Sequence, residues 1–131
     1  MTTMKYTRIY ADAAGDSHFE DVNVTVAPFE FAPPAPPLNL AAPIESDYMI
    51  LCEIPPGWAG EWHPTPRRQF CFQLSGSVEV EVSDGEIREF PAGSILLLED
   101  TAGRGHQTRV LGDAGSQTVF VQLPTHSSKT V

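Results

Sequence analysis

Apolar and polar positions alternate most cleanly in the middle of the chain. Val78, Val80 and Val82 fall on one face of a short run, and Glu79 and Glu81 fall on the other. That is the pattern of a strand with one face in a core and one in water. Ser83-Asp84-Gly85 follows, and then a second run from Glu86 to Phe90. Asp84-Gly85 predicts a tight hairpin with both residues at positive φ. Further strands are expected over residues 94–99, 106–111 and 118–123. A glycine-rich loop over 100–105 and a turn over 112–115 separate them. In the first half, strands are expected over 6–10, 19–31 and 47–54, with a turn at 55–57.

Residues 32–37, Ala-Pro-Pro-Ala-Pro-Pro, exclude both helix and central strand, because proline lacks an N–H and fixes φ. They predict an extended polyproline segment covering the surface rather than a free ligand for another domain. No stretch carries a helical stripe. The sum is an all-β fold, a sandwich or barrel with little helix. A single domain is expected over 1–131: N-terminal strands and a Pro-rich covering loop in 1–46, a motif-bearing barrel in 47–123, and a loose polar tail in 124–131.

Composition narrows the partners. The chain has 131 residues, 41% of them hydrophobic, enough for a real core. Its 8 basic and 17 acidic residues give a net charge of -9. An acidic surface repels phosphate backbones and anionic lipid, so neither nucleic acid nor a membrane is expected as partner. The apolar run at residues 95–98 is far short of the about 18 residues that span a bilayer. The start, Met-Thr-Thr-Met-Lys-Tyr, has no apolar leader core. Cys52 and Cys71 show no metal or redox spacing, which fits reduced thiols and a cytoplasmic location.

The stretch from Gly60 to His106 holds the chemistry. His63, Thr65, Gln69 and Gly76 stand at the offsets of the first cupin motif, G-x5-H-x-H-x3,4-E-x6-G. Gly93-Ser-Ile-Leu-Leu-Leu98 matches the opening glycine and strand of the second motif, with His106 as its histidine, two residues late. The glycine-rich loop absorbs the insertion. Over about 50 residues the chain therefore resembles the cupin family. The resemblance implies a double-stranded β-helix, or jelly-roll barrel. It also implies a pocket built around His63, Gln69 and His106. In metal-binding cupins these positions, with a second histidine and a glutamate, hold one divalent cation. Here the second histidine is Thr65 and the glutamate is Gln69. What the resemblance leaves is one Fe, Mn, Ni, Cu or Zn ion on His63, Gln69 and His106, or no metal at all, with Glu61 nearby in sequence as a replacement carboxylate.

Strand parity adds a reading of its own. If Gln69 faces the interior, so do Cys71 and Gln73, while Phe70, Phe72 and Leu74 face out. So wide an apolar face needs a cover, from the N-terminal strands, a second subunit, or both, and a homodimer is expected. The same parity turns Gln107 and Arg109 away from His106. Of six arginines, Arg68 and Arg104 are the candidates for a pocket rim that clamps an anionic substrate. Trp58 and Trp62 offer flat apolar surface for an organic ligand. His18 is a candidate for the pocket mouth. Cys71 lacks an activating partner for thiolate chemistry.

Two functions follow. One is a cupin-type small-molecule enzyme, either metal-assisted (oxygenase, decarboxylase or lyase) or with His63 or His106 as general base or acid (isomerase, cyclase or dehydratase). In the second version Gln69 donates to a developing oxyanion. The other is a non-catalytic small-molecule-binding cupin.

Overall fold

The computed structural model describes residues 2–125. Among them the chain forms ten strands and no helix. The strands are β1 (Thr2–Ala11), β2 (Ser17–Phe29), β3 (Leu38–Leu40), β4 (Tyr48–Ile54) and β5 (Gln69–Ser75). They continue with β6 (Ser77–Val82), β7 (Ile87–Pro91), β8 (Ile95–Leu98), β9 (His106–Leu111) and β10 (Ser116–Gln122). They build two sheets, one in the order β3-β2-β1-β8-β5-β10-β4 and a smaller one in the order β7-β6-β9. β1 runs parallel to β8 and antiparallel to β2.

The two sheets pack face to face as a β-sandwich. Val78, Val80 and Val82 point inward from β6 and meet Ile9, Phe19, Phe90, Leu96, Leu98 and Val110. Alternation in sequence thus becomes one-sided burial, and each buried aliphatic side chain contributes about 1.5–3 kcal/mol. The hairpin between β6 and β7 forms where expected, but only Gly85 has positive φ, at 100°. The Gly85 amide donates to the Val82 carbonyl, and the Val82 amide donates to the Glu86 carbonyl. This is a three-residue loop closed by a left-handed glycine, which spares Asp84 that conformation.

The Pro-rich segment is a turn rather than a continuously extended stretch. The chain reverses at residues 32–35, where the Ala35 amide donates to the Ala32 carbonyl, and returns as β3 along the end of β2. All its residues are exposed. Proline fixes φ, but it does not say where a segment goes.

After β4 the chain crosses to the small sheet. Residues 58–63 run antiparallel to β9 through bridges at Ala59–Arg109 and His63–His106. It then alternates: β5 in the large sheet, β6 and β7 in the small, β8 in the large, β9 in the small, β10 in the large. The outer face of the large sheet is only partly covered. Phe70 is buried against Tyr6, Leu97 and Leu123, so an N-terminal strand supplies part of the expected cover. Met49, Leu51 and Leu74 remain 68%, 74% and 58% exposed. No helix among the described residues is long and apolar enough to cross a membrane. The tail from residue 126 on, with His126, lies outside the described residues.

Candidate active site

Between the sheets lies a cavity of about 640 Å³, within the roughly 300–1,000 Å³ usual for small-molecule sites. Alternate residues of β5, namely Gln69, Cys71 and Gln73, line it, as the parity argument requires. β9 adds His106 and Thr108, and β10 adds Thr118, Phe120 and Gln122. His63, Thr65 and Trp58 enter from the crossing segment. His63 and His106 come together, with ring centroids 5.1 Å apart. Their backbones exchange two hydrogen bonds of 3.1 and 3.0 Å.

Both imidazoles are oriented through Nδ1. His63 Nδ1 lies 2.7 Å from the Glu61 carbonyl oxygen, which can only accept, so that nitrogen carries the proton. His106 Nδ1 lies 2.7 Å from Asp100 Oδ2. Asp100 is fully buried and His106 is 5% exposed. The other carboxyl oxygen accepts from the Thr65 hydroxyl at 2.8 Å, and the Thr65 amide donates to the Asp100 carbonyl. Nδ1 of His106 is taken by Asp100, and no described residue bonds its Nε2. Asp100 is the residue that sequence reading missed, taken only as the first residue of a loop. The available signal was a carboxylate two residues after strand 95–98 and six residues before His106.

Gly105 makes this closeness possible. Its φ is +75°, and a Cβ there would collide with the backbone of His63 and Pro64. Only glycine lets the 100–105 loop pass so close. Thr65, at the offset where the cupin motif has its second histidine, is a hydrogen-bond partner of Asp100.

Gln69 Oε1 accepts from Gln122 Nε2 at 3.1 Å, which leaves the Gln69 NH2 for a ligand oxygen. The Cys71 thiol is pushed up to about 12 by burial, with Cys52 adding to the shift. It therefore stays a neutral thiol at physiological pH, and both cysteines are free.

Several predicted residues stand elsewhere. Arg68 and Arg104 are not among the residues lining this cavity. Arg68 bonds Glu99 Oε2 at 2.6 Å, and Arg104 bonds Asp16 Oδ1 at 2.7 Å. Burial raises the Glu99 carboxyl, but bonds from Arg8 and Arg68 outweigh it and hold the group below its usual value. Trp62 lines a separate hollow with Arg104, Glu81 and Gly85. His18 sits between Asp12 and Asp84, off the cavity. Arg109 points out to Glu79, as parity predicts.

The donor set does not fit a tightly held cation. Asp100 spends both carboxyl oxygens on Thr65 and His106, the Gln69 oxygen is engaged by Gln122, and Glu61 meets His63 through its backbone. On the cavity wall the two imidazoles are what is left. Among the described residues no group of three or more His, Cys, Asp or Glu side chains could hold a metal ion.

No family model and no curated protein matches the chain. Among solved structures, it is similar to a conserved protein of unknown function, SPY1581, from Streptococcus pyogenes. That match has a TM-score of 0.44 and 21% identity, over 63% of this chain and 81% of that one. A second similarity is to protein NMB1881 from Neisseria meningitidis, with a TM-score of 0.42 and 17% identity, over 58% of this chain and 72% of that one.

Proposed function

We propose that the chain is a cupin-type small-molecule enzyme whose double-stranded β-helix encloses a substrate and whose His106 transfers a proton. The alternation of strands between the two sheets after β4 supports the jelly-roll reading. The single observation that carries the function is the buried Asp100–His106 pair on the wall of the cavity.

In this reading Asp100 holds His106 in the Nδ1–H tautomer, and Nε2 takes a proton from the substrate. The imidazolium that forms is stabilised by the carboxylate beside it. The Gln69 NH2 donates to the oxygen on which charge develops. His106 Nε2–H then delivers that same proton to a second position of the substrate, a carbon in an isomerase or cyclase or the departing hydroxyl in a dehydratase, which restores the starting ring, while His63, one ring away, lines the path. No Arg or Lys lines the cavity, so a neutral, mostly apolar organic substrate replaces the anionic one expected from Arg68 and Arg104. The metal-assisted version has less support, because two imidazoles and an engaged amide supply no negative charge. Stoichiometric metal in protein purified without chelators, lost in His63→Ala, would restore it.

The test is deuterium incorporation. A panel of neutral ketones and aldehydes is incubated with the protein in D2O, and C–H exchange is followed by NMR. Exchange that disappears in His106→Gln supports the enzyme. Compounds that bind without exchanging would favour the alternative, a non-catalytic small-molecule-binding cupin, which the apolar lining also suits.

A homodimer belongs to the same proposal, with a second copy over Met49, Leu51 and Leu74, because one apolar patch can serve both sides of a two-fold contact. Sedimentation velocity should give a dimer that Leu51→Glu converts to monomer. A monomeric wild type would dispose of it. A cytoplasmic location rests on the two free thiols.

A further inference from the structure

The cavity has a second polar end. Gln73 and Thr118 are each only 2% exposed and pair across β5 and β10, so their side chains share one inner face. Gln73 Nε2 donates to the Ser75 carbonyl at 3.3 Å and to the Ser116 hydroxyl. A carbonyl can only accept, which fixes the atom bonded to Ser75 as the amide nitrogen and the other as the oxygen. Gln73 Oε1 and Thr118 Oγ1 are fully buried and have no hydrogen-bond partner. Leaving a buried polar atom unpaired is costly, and folded proteins rarely do so without a bound group to answer it.

These two atoms lie far from the proton-transfer end. Gln69 and Gln73 are four residues apart on β5, about 13 Å at a rise of about 3.3 Å per residue. Between them the wall is apolar: Cys71, Phe120, Leu96 and Val80. The cavity therefore has acid–base chemistry at one end, an oily middle, and an unanswered acceptor at the other.

We infer that Gln73 Oε1 and Thr118 Oγ1 form a distal subsite for a hydrogen-bond donor, a hydroxyl or N–H at the far end of an elongated, otherwise apolar substrate. This rests on the cavity being the ligand site, as proposed above. A donor there satisfies Gln73 Oε1 directly, and an oxygen on the same group receives the Thr118 hydroxyl. A hydroxyl answers both atoms at once. A purely apolar tail answers neither, so the subsite selects for the polar terminus.

Two probes of matched length separate the possibilities: 1-octanol, with one hydroxyl, and 1,8-octanediol, with one at each end. Binding to the wild type is measured by titration calorimetry or by NMR shifts of the Leu96 and Leu98 methyls. The diol is expected to bind about fivefold more tightly than the mono-alcohol, the effect of one neutral hydrogen bond. In Thr118→Val, which keeps the shape of the side chain, and in Gln73→Met, the advantage should vanish while 1-octanol binds as before. Gln73→Met also removes bonds to Ser116 and Ser75, so Thr118→Val decides the matter if that variant fails to fold. Octanol binding with no advantage for the diol overturns the subsite and leaves the cavity reading standing, with a trapped water as partner of the two atoms. Failure of both alcohols to bind overturns the cavity as a ligand site, and the subsite with it.

Discussion

The molecule holds two histidine–carboxylate clusters that share chemistry and differ in setting. In one, His18 lies between Asp84 and Asp12, with ring nitrogens 2.8 and 2.7 Å from the two carboxyl groups. Both nitrogens are spent, and the group sits at the surface. In the other, His106 gives Nδ1 to Asp100, its Nε2 bonds no described residue, and the ring lines a largely apolar cavity. The first is a clasp that ties the turn after β1 to the turn after β6. The second is a base with somewhere to put a substrate. A histidine beside a carboxylate is therefore not yet a site: the unused nitrogen and what it faces decide.

The contrast breaks most visibly in turnover. His106→Gln should lower proton exchange by about 10²–10⁴-fold, the usual range for a positioned acid or base. Asp100→Asn should cost a comparable factor and also move the pH profile, because Asp100 is a positioning residue acting through His106. His18→Gln should leave exchange unchanged. Equal effects at His18 and His106 would erase the distinction.

Stability should separate the clusters less sharply. Asp100→Ala strands the Thr65 hydroxyl and His106 Nδ1 inside the protein, at a cost of about 2–5 kcal/mol read from urea midpoints. His18→Gln removes bonds that water replaces readily, and its shift should be much smaller.

The smallest expected effect is a pH dependence at the clasp. The hydrogen bond to Asp12, then that to Asp84, raises His18 above the ordinary imidazole value. That contribution is fully present below pH about 6.5 and is lost as pH rises through the raised value. Asp12 is held low first by its bond from His18. Asp84 is held low first by the Glu86 amide, and its bond from His18 adds to this. Their contributions are lost as pH falls through the lowered range. The difference in urea midpoint between wild type and His18→Gln should peak between these limits. A difference that stays flat with pH would contradict the clasp.

The sequence made one wall of the cavity legible and hid what supports it. Period-two parity put Gln69, Cys71 and Gln73 on the inner face, because side-chain direction along a strand is a local property. Motif spacing brought His63 and His106 together across 43 residues of chain. Asp100 escaped because its role depends on how a loop returns, and Gly105 decides that only once His63 is in place. Arg68 and Arg104 misled through nearness in sequence. Arg68 stands one residue from Gln69, so parity alone turns it outward to Glu99. Arg104 sits on the exposed loop and finds Asp16, 88 residues away.

The central claim, that Asp100 fixes His106 as a base with Nε2 open to the cavity, is tested most directly by 15N NMR of the histidine ring nitrogens. For the neutral form of the His106 ring the expected spectrum has a protonated Nδ1 and an unprotonated Nε2, and Asp100→Asn disturbs that assignment. A proton on Nε2 of His106, or a ring unaffected by Asp100→Asn, would contradict the account.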